Sequence, residues 1–85
     1  MKYTPKFTYQ FLEDTKKLKG PLRKRLRKAI KKILERPELG KPLRYTFKGL
    51  RSERVGKFRI IYVIDGRKVK VTDIITRGKG YKWLD

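Results

Sequence analysis

VGKFRIIYVIDGRKVKVTDIIT, residues 55–76, holds two apolar runs rich in β-branched and aromatic residues, Phe58–Ile64 and Val69–Ile75, parted by Asp65-Gly66. Asp-Gly between two such runs is a strong hairpin signal, so the stretch predicts a pair of antiparallel strands. Just upstream, Gly56-Lys57 joins Val55 to Phe58, and a glycine in the first place of a two-residue loop suits a type II′ turn. A third strand over about Leu50–Val55 then precedes the hairpin, giving a three-stranded meander.

Loop length sets register. A two-residue loop at Gly56-Lys57 puts Val55 opposite Phe58 and Arg54 opposite Arg59. A loop at Asp65-Gly66 puts Tyr62 opposite Val69 and Ile60 opposite Val71. One face then carries Val55, Phe58, Ile60, Tyr62, Ile64, Val69 and Val71, half of a core. The other carries Arg54, Arg59, Lys68, Lys70 and Thr72 beside Ile61, Val63 and Ile74. Like charges directly opposite on a sheet are destabilising, so the Arg54/Arg59 pair marks a candidate anion site.

A chain of 85 residues is expected to make one domain, 1–85, with a core large enough to fold alone. The 26 Lys+Arg against 8 Asp+Glu give a net charge of +18, which favours polyanionic partners such as nucleic acid, anionic lipid or an acidic protein. The chain has neither cysteine nor histidine, which excludes disulfides, thiolate chemistry, and the usual general base and metal ligand. No cofactor is implied. No apolar run reaches membrane-spanning length and no signal peptide opens the sequence, so no membrane partner and a cytoplasmic location are expected.

Lys2–Phe7 is a candidate strand at a sheet edge, because Pro5 cannot donate to a ladder. Phe7, Phe11, Leu12, Thr15 and Leu18 recur at helical spacing, which predicts a helix over about Phe7–Leu18. Gly20-Pro21 ends it and starts a second helix, striped with Leu22, Leu26, Ala29, Ile30, Ile33 and Leu34 and closed at Arg36-Pro37. Its other side carries Arg23, Lys24, Arg25, Arg27, Lys28, Lys31 and Lys32. From Lys16 to Arg36 there are eleven basic residues and one acid, Glu35. An ordinary solvated helix mixes charges to gain i,i+4 pairs, so phosphate-backbone contact is favoured here over plain solvation. Arg23, Arg27 and Lys31 are its candidate RNA contacts.

Pro37–Gly49 reads as a loop in which Leu43, Tyr45, Phe47 and Leu50 alternate, as an edge segment would. After the sheet, Arg77-Gly78-Lys79-Gly80-Tyr81-Lys82-Trp83 interleaves basic and aromatic residues. Trp83 is read as a core plug. Tyr81 suits either a core plug or stacking on an unpaired base. The fold class is α+β: an N-terminal helical hairpin packed on a small antiparallel sheet, made of the C-terminal meander plus a short N-terminal edge strand.

Glu35-Arg36-Pro37, Gly40-Lys41-Pro42-Leu43, Phe47-Lys48-Gly49-Leu50-Arg51-Ser52, the run Arg54-Val55-Gly56-Lys57-Phe58-Arg59-Ile60-Ile61-Tyr62, then Arg77 and Tyr81 resemble the RelE/ParE toxin superfamily, and within it the RelE-type mRNA endoribonucleases. The resemblance implies a toxin of a type II toxin–antitoxin module that enters the ribosomal decoding site and cleaves mRNA. Its partners would be the ribosome, mRNA and an acidic cognate antitoxin of RelB type. The reaction it implies is attack of a ribose 2′-OH on the adjacent phosphate, giving a cyclic phosphate and a free 5′-OH.

By position, Arg59 matches the strand arginine that stabilises the phosphorane, Arg77 the late arginine near the leaving 5′ oxygen, and Tyr81 the tyrosine that orients the substrate base. Arg54 sits near where the preceding strand carries a basic residue. Ser52 stands where the family commonly has a second one, with Arg51 and Lys57 as nearby basic candidates and Lys79 as a further RNA contact. Glu53, the candidate base, points toward the core side in this register. Two other readings remain open: a ParE-like inhibitor of DNA gyrase, and a non-catalytic basic protein that binds ribosomal RNA.

Overall fold

The computed structural model describes residues 3–43 and 49–76. Within them the elements run β1 (Thr4–Phe7), α1 (Tyr9–Lys16), α2 (Gly20–Glu35), a 3-10 turn at Pro37–Leu39, β2 (Lys41–Pro42), β3 (Leu50–Val55), β4 (Phe58–Asp65) and β5 (Lys68–Thr76). The strands form one sheet in the order β1-β5-β4-β3-β2. It is mixed, because β1 pairs parallel to β5 while the other pairs are antiparallel. The expected antiparallel sheet is corrected at both edges: α1 and α2 carry the chain back so that β1 joins in the parallel sense, and Lys41–Pro42 adds a strand.

The β3–β4 turn has the predicted register, with Val55 opposite Phe58 and Arg54 opposite Arg59. Gly56 holds φ at +59°, a conformation natural to glycine and costly for other residues. The β4–β5 register differs from expectation. The turn is centred on Gly66-Arg67, with Asp65 paired to Lys68 and Tyr62 opposite Val71 where Val69 was expected. The ladder then shifts between Ile61 and Tyr62, so that Ile61 faces Asp73 and Ile60 faces Ile74. Thr72 is the extra residue of this bulge.

The bulge reverses the alternation beyond it. Ile74, assigned to the outer face by simple alternation, packs against the core instead. The hydroxyl of Thr8 holds the bulge in place: it donates to the Thr72 carbonyl at 2.6 Å and accepts from the Phe11 amide at 3.2 Å. Thr8 is thus also the N-cap of α1, which explains why the helix starts two residues later than its apolar spacing suggests. Phe7 completes β1 opposite Val71 and stacks on Phe11, with ring centroids 5.4 Å apart.

Phe11, Leu26, Ile33 and Leu34 from the helices cover Ile60, Tyr62, Val69 and Val71 from the sheet. Full burial of such side chains is worth about 1.5–3 kcal/mol each. Both helices lie on this one face, which leaves the opposite face to the arginines.

Candidate nucleic-acid interface

Cross-strand partners share a face, so Ser52, Arg54, Arg59, Ile61 and Asp73 project from the side of the sheet away from the helices. Arg54 is exposed and Arg59 half-buried. Arg54 Nε donates to the Gly56 carbonyl at 3.3 Å, and Arg59 Nη1 donates to Ser52 Oγ at 3.0 Å. Ser52 is 2% exposed, so its hydroxyl is a fixed acceptor beneath the guanidinium. The two side chains are cross-strand neighbours whose hydrogen bonds aim them apart, Arg54 toward the turn at Gly56 and Arg59 toward Ser52, and each can offer charge-assisted hydrogen bonds to a phosphate.

The remaining candidates fall elsewhere. Arg77, Lys79 and Tyr81, like Phe47 and Trp83, lie outside the described residues. Arg51 is on the helix side of β3, opposite Tyr62. Its Nη1 donates to the carbonyls of Glu38 and Gly40 at 3.1 and 2.9 Å. It braces the segment after α2 and is turned away from Arg59. Arg23 Nη2 donates to the Lys16 carbonyl at 3.0 Å, closing the end of α1. Arg27 and Lys31 are exposed on α2, and Lys57 is exposed on the β3–β4 turn. Glu53 faces the helices and pairs with Lys32 at 3.3 Å.

Tyr62 locks α2 to the sheet. It is fully buried, and its hydroxyl donates to the Pro37 carbonyl at 2.6 Å. A β-carbon on Gly40 would collide with that hydroxyl, so glycine is needed for close approach. Burial, reinforced by the negative charge of Glu53, pushes the Tyr62 hydroxyl up to about 12, against the opposing pull of Arg51 and of a backbone hydrogen bond from Gly40.

Sequence reasoning missed Ser52 as a partner of Arg59, although the signal was present. Ser52 pairs with Ile61, and Arg59 is two residues from Ile61 on the same face, a diagonal within reach of a long side chain. Among the described residues two ion pairs form, Lys16–Glu13 and Lys32–Glu53, so most of the basic face of α2 has no carboxylate against it. No three acidic, histidine or cysteine side chains among the described residues gather into a metal-holding group. No helix among them is long and apolar enough to cross a membrane.

A cleft of about 510 Å³ opens where β1 and α1 meet α2. Phe7, Tyr9, Leu12 and Leu26 line it together with three cations, Lys16, Arg23 and Arg27, and one acid, Glu13. Tyr9 is 77% exposed and Leu12 46%, an apolar surface beside cations that suits a partner with apolar side chains and carboxylates.

The sequence profile of the family described as the ParE toxin of the type II toxin–antitoxin system parDE matches residues 6–81. The curated Toxin RelE of Mycobacterium tuberculosis (strain ATCC 25618 / H37Rv) is 40% identical over 53 residues, 59% of this chain and 55% of that protein. The match thus spans about half the length of this curated relative. Among solved structures, a chain of the RelBE2 toxin–antitoxin complex from Mycobacterium tuberculosis superposes with a TM-score of 0.79 at 30% identity, covering 91% of this chain and 100% of that one. A chain of the intact Escherichia coli RelBE toxin–antitoxin complex gives 0.74 at 23% identity, over 91% of this chain and 99% of that one, a likeness of fold.

Proposed function

This chain belongs to the ParE toxin family of type II toxin–antitoxin systems, and on that premise we propose that it is a ribosome-dependent mRNA endoribonuclease that inhibits translation. The observation carrying this reading is the Arg54–Arg59 cross-strand pair on the face the helices leave uncovered. In the proposed reaction a ribose 2′ oxygen attacks the adjacent phosphorus and the bond to the 5′ oxygen breaks. The products are a cyclic phosphate and a 5′-OH, the 2′ proton being lost and one gained by the leaving oxygen.

Arg59, held by Ser52 Oγ, stabilises the charge that builds on the phosphorane oxygens. Arg54 neutralises the same phosphate from the neighbouring strand. Arg77 and Tyr81 are proposed, from the resemblance, to act at the leaving oxygen and the base. The cognate antitoxin is proposed to be an acidic protein of RelB type, seating apolar side chains in the cleft at Tyr9 and Leu12 with carboxylates against Arg23 and Arg27. A toxin that acts on ribosomes and message is proposed to work in the cytoplasm.

To test this, the protein is added to ribosomes programmed with a defined message, and the fragment ends are analysed. New ends bearing 5′-OH, labelled by polynucleotide kinase without prior phosphatase treatment, are expected; an intact message sinks the reading. The ParE identity of the matching family favours a second reading, inhibition of DNA gyrase. A supercoiling assay separates the two, because the endoribonuclease leaves gyrase turnover unchanged.

A further inference from the structure

The β3–β4 turn is the point at which the basic face of α2 reaches the arginine face of the sheet. A β-carbon built on Gly56 would lie 3.4 Å from Arg25 Nη1, and Arg54 Nε donates to the Gly56 carbonyl at 3.3 Å. Guanidinium groups from two elements far apart in sequence therefore close on one residue. Lys57, the next residue, is exposed beside them. Neither ion pair of the described residues reaches this group, and Glu53, two residues from Val55 on the same strand, is turned away to Lys32.

Three cations gathered around a turn, with no carboxylate of the described residues paired to them, repel one another until an anion joins them. We propose that Arg25, Arg54 and Lys57 form a second phosphate site, so that single-stranded RNA runs from the outer sheet face over the turn and onto α2. Arg54 belongs to both sites. A lone anion fills one of them, whereas a strand with a phosphate on every nucleotide fills both at once. Gly56 is fixed by its positive φ, and a β-carbon there would sit in ordinary contact with the end of the Arg25 side chain. The choice of RNA as ligand rests on the function proposed above; the site itself rests on the geometry of the turn.

The test uses a 2′-O-methylated single-stranded RNA, which lacks the attacking hydroxyl and reports binding without cleavage. Affinity is measured by fluorescence anisotropy across a salt series for wild type, R25Q, R25K and R67Q. Arg67 is exposed on the β4–β5 turn at the opposite end of β4, and serves as a control for loss of one charge. R25Q is expected to flatten the slope of log affinity against log salt by ~0.7, one phosphate contact on a single strand. R25K is expected to keep the slope, and R67Q to leave it unchanged.

Equal slopes for R25Q and R67Q, or no binding by wild type, overturn the inference. Circular dichroism of R25Q checks the fold, which an exposed position should leave intact. A flattened slope for R25Q in a protein that leaves ribosome-bound message intact supports the phosphate site and removes only the endoribonuclease reading.

Discussion

At the scale of single residues, Arg59 depends on what holds it. Ser52→Ala removes the acceptor of Arg59 Nη1. Hydrogen bonds to charged groups are worth roughly 1.5–3 kcal/mol, so cleavage by this variant is expected to fall about tenfold or more at unchanged substrate affinity. Ser52→Thr, which keeps the hydroxyl, should restore it. Tyr62 gives a second prediction. Tyr62→Phe removes one of the two donors to the Pro37 carbonyl, the Gly40 N–H at 3.3 Å being the other, and is expected to cost about 0.5–1.5 kcal/mol at neutral pH. In the unfolded chain the hydroxyl ionises near 10, and in the fold at about 12. The folded state therefore holds the neutral form, and this stabilisation is complete below pH 10 and lost as pH rises toward 12. Urea melts at several alkaline pH values should show the wild-type advantage over Tyr62→Phe shrinking by ~1.4 kcal/mol per unit across that window. An advantage that stays constant contradicts the lock. The Arg54–Arg59 pairing was legible in the sequence because a two-residue glycine turn leaves one register. The Ser52 contact was legible only as one of several diagonals within reach of Arg59, among which strand pairing alone does not choose.

At the scale of elements, α2 is built against its own stability. No acid occupies its first turn, although the N-terminal end of a helix favours negative charge. Lys24 and Lys28, and Arg27 and Lys31, are like-charge neighbours one turn apart. Lys24→Glu turns the Lys24/Lys28 repulsion into an i,i+4 ion pair and is expected to raise stability by about 0.5–1 kcal/mol in urea melts. The same variant is expected to bind single-stranded RNA more weakly, a combination that separates a charge footprint from a merely solvated face. The helices and the β3–β4 hairpin were readable from apolar spacing and turn residues. The far hairpin was not, since Asp65-Gly66 and Gly66-Arg67 both offer a turn with Gly66 in it. Nor could local sequence show the bulge at Thr72, which is held by Thr8 from the opposite end of the chain.

At the scale of the whole molecule, a net charge of +18 is confined within a radius of gyration of 12.1 Å, close to the ~12 Å of an ordinary domain of this length. The fold is fully compact despite the repulsion, which salt screens over ~10 Å at 0.1 M. Raising salt should therefore stabilise the free protein against urea while weakening its hold on RNA, two opposite trends from one cause. Charge and size were plain from composition, whereas the side of the sheet left open to the arginines required both helices to be placed. The central proposal is that the sheet face carrying Arg54 and Arg59 cleaves RNA. Its most direct measurement is primer-extension mapping of ribosome-bound message exposed to wild type or Arg59→Ala. New 5′ ends are expected with wild type, and a cutting rate lower by about 10²–10³-fold with Arg59→Ala; an uncut message, or equal cutting by both proteins, rules out cleavage through Arg59.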